Sequence, residues 1–132
     1  MTAPIRLNPS TLPDAEAIGY SQISIVDPGR LAFVSGQVAV SRGGGQVPAS
    51  VGEQTDMVII NLSEALKALG STTHDIVQMR IYALDMSPTA VGTVMAKLGD
   101  FLNGAKPSLT GVGVSALASP EFLLEIEMVV RL

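Results

Sequence analysis

Hydrophobic and polar residues alternate along short stretches in the first third of the chain, and this pattern predicts β-strands. Residues 20–26 alternate over seven positions, and residues 31–38 form an apolar run that is too short for a typical helix. Residues 27–29, Asp-Pro-Gly, lie between them and are typical of a turn, so we predict a hairpin. Gly36 interrupts the second strand pattern, which predicts a bulge or the close approach of another group to the backbone.

The same alternation returns later in the chain and predicts three further strands, at residues 76–85, 108–114 and 122–132. The last of these divides its residues between two faces. Glu125 and Glu127 share one face, together with three other residues, while the opposite face is apolar. That apolar set is Phe122, Leu124, Ile126, Met128 and Val130.

Two stretches have helical periodicity and recognisable ends. The first follows Ser50, which has the Ser-x-x-Glu spacing of a capping box, and stops at Gly70. The second follows Ser87, has proline at its first position, and stops before Gly104. The order of elements predicts an α+β fold in which two helices cover one face of one mixed sheet. We expect a single domain over residues 1–132 that begins with an extended, proline-bearing arm at 1–16.

Composition restricts the partners of this domain. Only 15% of the 132 residues are charged and 47% are hydrophobic, which favours a homo-oligomer over a monomer. A net charge of -4 with scattered basic residues argues against a nucleic-acid partner, and no apolar run is long enough to cross a membrane. With no cysteine and one histidine we expect no transition-metal site and no cofactor, and the absence of a signal-peptide pattern predicts a cytoplasmic protein.

Several polar residues are candidates for chemistry, and each also has a purely structural interpretation. Ser35 lies two positions before a glutamine, so that a ligand could meet both, or the two serve the strand's own hydrogen bonds. Glu125 and Glu127 raise each other's pKa if water is excluded, or else lie on a solvated face. Arg80 in mid-strand is either solvated or part of a subunit interface, and His74 is most simply a solvated or capping loop residue.

Six short segments, in register with this order of elements, resemble the Rid/YjgF family, formerly also labelled endoribonuclease L-PSP. They are Gly19-Tyr20-Ser21-Gln22, Phe33-Val34-Ser35-Gly36-Gln37, Glu53-Gln54-Thr55, Asn61-Leu62, Asp85-Met86 and Glu125-Ile126-Glu127. The resemblance runs from about residue 17 to the C-terminus. It implies a chorismate-mutase-like fold and a homotrimer whose sheets form an inner barrel, with three clefts between subunits.

One branch of that family hydrolyses enamines and imines to 2-keto acids and ammonia, and an arginine in a Pro-x-Arg-Ser segment binds the substrate carboxylate. The matching segment here is Pro107-Ser108-Leu109-Thr110, which puts Leu109 at the position of the arginine. An asparagine common in the family's second helix is also absent, with Gly92 near that place.

The resemblance assigns roles to four other residues. Tyr20 resembles the cleft tyrosine, Ser35 with Gly36 resembles the strand end that meets the ligand, and Glu125 resembles the glutamate that positions the attacking water. We therefore expect an enzyme acting on imines or other C–N bonds, with Arg80 as the first candidate to replace the missing arginine. The alternative is a non-catalytic trimer that binds a small metabolite, whereas an endoribonuclease is disfavoured by the acidic balance and the single histidine.

Overall fold

The structure is a computed structural model and describes residues 2–132. Its strands are β1 (Ile5–Leu7), β2 (Ile23–Ile25), β3 (Leu31–Gln37), β4 (Ile76–Ala83), β5 (Ser108–Gly113) and β6 (Leu124–Arg131), and its helices are α1 (Val51–Leu69) and α2 (Pro88–Leu102). A short 3-10 turn, Thr73–Asp75, precedes β4.

Four strands form one mixed sheet in the order β3-β6-β4-β5, and both helices pack on one of its faces. β6 is antiparallel to both of its neighbours, whereas β5 runs parallel to β4, as the crossover through α2 requires. The predicted α+β class with two helices on a mixed sheet is therefore confirmed. The core lies between sheet and helices, where alternate residues of β6 are buried as the pattern predicts; these are Leu124, Ile126, Met128 and Val130.

Both helices begin and end at the residues that the sequence marks. The hydroxyl of Ser50 accepts a hydrogen bond from the backbone N–H of Glu53, and the hydroxyl of Ser87 accepts one from Ala90. Gly70 ends α1 in the left-handed region with φ 66°, which a glycine adopts without a steric penalty. At the end of α2, Asn103 adopts the left-handed conformation, one residue before the expected Gly104.

The predicted hairpin between the second and third strands is wrong. β2 pairs with β1 in a separate two-stranded ladder, in which Ile5 lies opposite Ile25. Arg6 fixes this pairing, because its guanidinium donates to the hydroxyl of Ser24 and to backbone carbonyls at the start of β4. The Asp-Pro-Gly residues at 27–29 turn the chain but do not determine which strand pairs with β2. Here β2 pairs with β1, which belongs to the proline-bearing arm.

The face of the sheet opposite the helices is uncovered and carries apolar side chains. Phe33 is 76% exposed and Leu31 is 41% exposed, both on β3, and Val112 on β5 is also exposed. A large aromatic residue exposed on an uncovered sheet is typical of a surface that packs against another molecule. In the part of the chain that the structure describes, neither helix combines the length and hydropathy needed to cross a bilayer.

Candidate functional site

Tyr20 and Leu109 line the same cavity, which has a volume of about 250 Å³. The cavity lies at the β5 edge of the sheet, on the side of the helices. Leu109 points to that side because it pairs with Met79, which is fully buried beneath the helices. The remaining lining is mostly apolar and comes from the segment before β2, from β4 and the loop that follows it, from α2 and from β5; it consists of Ile18, Ile81, Ala83, Asp85, Met86, Val91, Val94, Met95 and Gly111.

Among residues 2–132, Asp85 is the one residue of a charged type on the lining of this cavity. Its Oδ1 accepts a hydrogen bond of 2.8 Å from the backbone N–H of Ser87. That bond, with a smaller contribution from the Ser87 side chain, holds the pKa of Asp85 below its ordinary value, so the group is ionised at neutral pH. In the part of the chain that the structure describes, the lining thus includes one exposed acidic residue and no arginine, lysine or histidine.

A second group of predicted site residues lies at the other end of the sheet, where Glu125 of β6 covers Gly36 of β3. A Cβ atom placed on Gly36 would lie 2.5 Å from Cδ of Glu125 and 2.6 Å from its Oε2. The register of β3 against β6 shifts between Val34 and Gln37, which is a bulge. The prediction that Gly36 marks a bulge or a close approach is confirmed on both counts.

The bulge also changes the expected placement of the neighbours of Gly36. Ser35 is exposed beside it, but the amide of Gln37 turns back and donates to the Ser35 carbonyl at 3.0 Å. The expectation that these two side chains would jointly face a ligand is not met, because the bulge interrupts the regular alternation on which it depended. The simpler interpretation, that the strand end satisfies its own hydrogen bonds, fits Gln37.

Arg80 belongs to neither group. It lies on the uncovered face of the sheet, where its Nη1 is 3.4 Å from Oε1 of Glu127, and the hydroxyl of Tyr82 donates to the same oxygen at 2.6 Å. Because Arg80 and Leu109 lie on opposite faces of the sheet, Arg80 does not reach the cavity of its own chain. Its role as a replacement for the missing arginine remains a prediction, and its partner in the structure is a carboxylate of β6.

Glu125 is half-buried, and neither Arg80 nor Arg131 pairs with it. Arg80 pairs with Glu127, and Arg131 pairs with Asp75 at 2.9 Å. Among residues 2–132 no cationic group lies within ion-pair distance of Glu125. The shared face of Glu125 and Glu127 holds as predicted, yet only Glu127 is neutralised by a nearby arginine.

Within one chain the two groups of site residues do not face each other. Glu125 lies opposite Tyr82 in the register of β4 and β6 and so shares the uncovered face, whereas Leu109 lies on the helix face. Residues on opposite faces of one sheet contribute to a single site only if a second copy brings its own face alongside. This arrangement is what a cleft between subunits requires.

Sequence reasoning missed most of the cavity's lining. Met86, Val91 and Met95 read simply as apolar positions near or on α2, and Asp85 entered only as part of a family segment. The sequence feature that could have identified Asp85 is its position at the end of a strand, two residues before the Ser-Pro start of a helix. At such a position a short acidic side chain accepts backbone hydrogen bonds. No pattern indicated that the end of β4 and the first turns of α2 would leave an open space.

Comparison with known proteins agrees with this fold and with the segments that carry the resemblance. The family described as endoribonuclease L-PSP matches residues 11–132. The chain belongs to the Rid/YjgF family. A Mus musculus protein named 2-iminobutanoate/2-iminopropanoate deaminase is 35% identical over 119 residues, covering 89% of this chain and 85% of that protein.

Solved structures of Rid proteins superpose on the chain to different degrees. A Yersinia pestis protein, YyfB, described as a member of the conserved Rid family of unknown function, gives a TM-score of 0.92 at 34% identity and covers 99% of this chain and 100% of its own. The Escherichia coli YjgF product gives a TM-score of 0.69 at 30% identity and covers 84% of this chain and 86% of its own. Among these two Rid structures, the chain is thus built more like the Yersinia protein than like YjgF.

Proposed function

We propose that this Rid-family chain forms a homotrimer whose intersubunit clefts take a small metabolite that carries no carboxylate. The reaction is the family's hydrolysis of an imine, an enamine or a related C–N bond, on a substrate different from 2-iminobutanoate and 2-iminopropanoate. The name of the mouse relative supports the reaction type. The choice of substrate rests on the cavity around Leu109.

The observation that carries this proposal is the charge of that cavity. Leu109 stands where the deaminase branch has its arginine, and the lining formed by residues 2–132 includes Asp85 but no basic residue. Losing one partner of a buried, hydrogen-bonded charge pair costs about 2–5 kcal/mol of binding. A second carboxylate entering this space would also meet like charge from Asp85, whereas a neutral ligand of similar shape would not.

The catalytic roles follow the two groups of residues, one from each of two neighbouring subunits. Glu125 accepts a proton from a water molecule as the water oxygen adds to the C=N carbon, and it returns this proton to the nitrogen, which gives a neutral carbinolamine. The hydroxyl proton of the carbinolamine then passes through Glu125 to the nitrogen as the C–N bond breaks, which releases ammonia and a carbonyl compound and leaves Glu125 ionised. Tyr20, which lines the cavity, donates a hydrogen bond to the substrate, and Ser35 with Gly36 forms the opposite wall.

A non-catalytic, metabolite-binding trimer is the second candidate function. It is favoured by the fact that the cavity keeps a volume of about 250 Å³ although the residue at position 109 offers no hydrogen-bond donor. Apolar walls with few polar groups are sufficient for binding small molecules. The two candidates differ in whether Glu125 is needed for turnover or only shapes the wall.

The test compares ligands that differ only in the carboxylate. Binding of 2-oxobutanamide and 2-oxobutanoate is measured by calorimetry on the wild type, Leu109→Arg and Leu109→Gln. We expect the wild type to prefer the amide and Leu109→Arg to prefer the acid by about tenfold or more. Leu109→Gln is the matched control, since it adds a polar side chain without charge and should leave the preference unchanged.

Turnover is followed with 2-iminobutanoate generated in situ. We expect slow keto-acid formation by the wild type, a faster rate with Leu109→Arg, and loss of that gain in Leu109→Arg/Glu125→Gln. Wild-type turnover as fast as that of family members with the arginine would contradict the proposal and point to Arg80 of a neighbouring subunit. Binding of the amide without turnover of any neutral imine would favour the non-catalytic trimer.

A further inference from the structure

Three basic side chains that are far apart in the sequence come together in a second cavity of about 190 Å³. They are Arg6 from β1, His74 from the turn before β4, and Lys106 from the segment before β5. The composition alone gave no sign of this, because the basic residues are scattered along an acidic chain. No residue lines both this cavity and the one that contains Leu109.

Within residues 2–132, the hydrogen bonds that hold Arg6 in place all go to neutral groups. Its Nη1 donates to the Ser24 hydroxyl at 2.6 Å and to the Val77 carbonyl at 3.3 Å, and its Nη2 donates to the Ile76 carbonyl. These bonds occupy three of the five N–H groups of a guanidinium, so two remain for another acceptor. Within residues 2–132 no carboxylate lies within ion-pair distance of Arg6.

The charge of Arg6 is also partly removed from water. Burial lowers the pKa of the guanidinium from its ordinary value, although the group stays protonated at any physiological pH. A partly desolvated cation without an anionic partner is an unfavourable arrangement that a bound anion would relieve. Its fixed position means that little side-chain entropy is lost on binding.

Lys106 adds a second positive charge to this cavity, and His74 adds an imidazole ring. The ammonium of Lys106 is near only a backbone carbonyl, that of Glu16 at 3.5 Å, and forms no ion pair in the described chain. Glu16 also lines the cavity, but its carboxylate lies outside ion-pair distance of all three basic residues. Two permanent cations, Arg6 and Lys106, thus face one carboxylate, and the imidazole of His74 adds an N–H donor.

We propose that Arg6, His74 and Lys106 form a binding site for a small phosphate-type anion, separate from the cavity around Leu109. A forked guanidinium with free donors, an ammonium and an imidazole supply hydrogen bonds from several directions, which suits a tetrahedral dianion. The site stands on β1 and the residues around β4 and β5 of one chain. It does not depend on the function proposed for the other cavity.

The test is calorimetric titration of the purified protein with sodium phosphate at low ionic strength and pH 8, where the phosphate dianion predominates, with sodium acetate as the singly charged comparison. We expect phosphate to bind more tightly than acetate, and Lys106→Gln and His74→Asn each to weaken phosphate binding by about tenfold or less. Lys67→Gln is the matched control, because it removes the same charge from an exposed pair on α1. It should change the affinity by less than twofold.

Amide chemical shifts locate the anion independently of its affinity. Phosphate should move the signals of residues 104–106 and 74–75 and leave those of Leu109 and Gly111 in place. The proposal is overturned if millimolar phosphate gives neither heat nor shifts, or if Lys67→Gln weakens binding as much as Lys106→Gln. Shifts confined to the Leu109 cavity, or acetate binding as tightly as phosphate, would overturn it as well.

Discussion

The side chain of Glu125 occupies the space that any side chain at position 36 would need. Cδ of Glu125 lies 2.5 Å from the position of a Cβ on Gly36, a distance that real Cβ atoms do not reach. A side chain at position 36 would therefore need the Glu125 side chain to move, whereas the backbone of Gly36 adopts no left-handed conformation that would itself favour glycine. The pair links the bulge in β3 to the carboxylate for which we propose the water-positioning role.

The first prediction concerns this contact. Gly36→Ala should lower the free energy of unfolding by about 1–3 kcal/mol, because the added methyl group forces Glu125 aside or displaces the strand. In a Glu125→Ala background the same change should cost at least about 0.5 kcal/mol less. Urea denaturation of the four proteins of this cycle gives both numbers.

Gly99→Ala on α2 is the control for that cycle. A Cβ at Gly99 meets nothing within 4 Å, so the change should stabilise the protein by about 0.5–1 kcal/mol through helix propensity alone. Equal costs of Gly36→Ala with and without the Glu125 side chain would show that the bulge itself, rather than the carboxylate, requires glycine.

The sequence predicted those parts of the fold that local chemistry decides. Ser50, Gly70 and Ser87 mark helix ends because caps are satisfied by groups within a few residues. The two faces of β6 followed from strict alternation. Gly36 was informative because a glycine within a strand pattern has few explanations, and two of them apply here.

Relations between distant segments could not be predicted in the same way. The partner of β2 is decided by Arg6 and its bonds to the start of β4, 70 and 71 residues away along the chain. The separation of Leu109 from Arg80 follows from the register of β5 on β4, which depends on the length of the crossover and on packing under α2. Strand pairing and register of this kind depend on contacts between segments that are distant in the sequence, and a local pattern of residues does not predict them.

The second prediction concerns Tyr82 and Glu127. The hydrogen bond to Glu127 raises the pKa of Tyr82 above its ordinary value of 10.0, with smaller contributions from burial and from the charge of Glu127. Because the chain has two tyrosines, Tyr20→Phe leaves Tyr82 as the only one. In that background, absorbance titration should show a lower pKa for Tyr82 after Glu127→Gln.

The stability consequence of this hydrogen bond has a definite sign. A group whose pKa is raised on folding contributes stability that is fully present below pH 10 and is lost as the pH rises through the folded-state pKa. Glu64→Gln removes the same charge from the exposed surface of α1 and should leave the Tyr82 titration unchanged. An unchanged titration after Glu127→Gln would show that the hydrogen bond is not maintained in solution.

The third prediction concerns Asp85. Its pKa is lowered chiefly by the backbone N–H of Ser87, so its contribution to stability is present above the ordinary pKa of 3.8 and disappears as the pH falls through the folded-state value. Asp85→Asn should therefore be less stable than the wild type at pH 6, and the difference should shrink as the pH falls below 3.8. Urea denaturation from pH 6 to pH 2 measures this.

Ser87→Ala separates the two hydrogen bonds of Asp85. The variant keeps the backbone N–H, so most of the acid-dependent loss of stability should remain, on top of a pH-independent cost of about 1 kcal/mol for the lost helix cap. A difference between Asp85→Asn and wild type that stays constant down to pH 2 would contradict the assignment.

The last prediction concerns Phe33 and the uncovered face of the sheet. We expect a homotrimer of about three times 13.7 kDa, since Phe33 is 76% exposed in the single chain and burying such a side chain contributes about 1.5–3 kcal/mol. Phe33→Asp should dissociate the trimer at micromolar concentration in sedimentation equilibrium and abolish ligand binding, because the proposed site takes its two groups of residues from neighbouring copies. Ile60→Asp is the control, since Ile60 is 59% exposed on α1, and it should stay trimeric.

A monomeric wild type, or a monomeric Phe33→Asp that still binds the ligand, would mean that Glu125 and Leu109 do not share a cleft. The site would then have to be sought on the helix face alone.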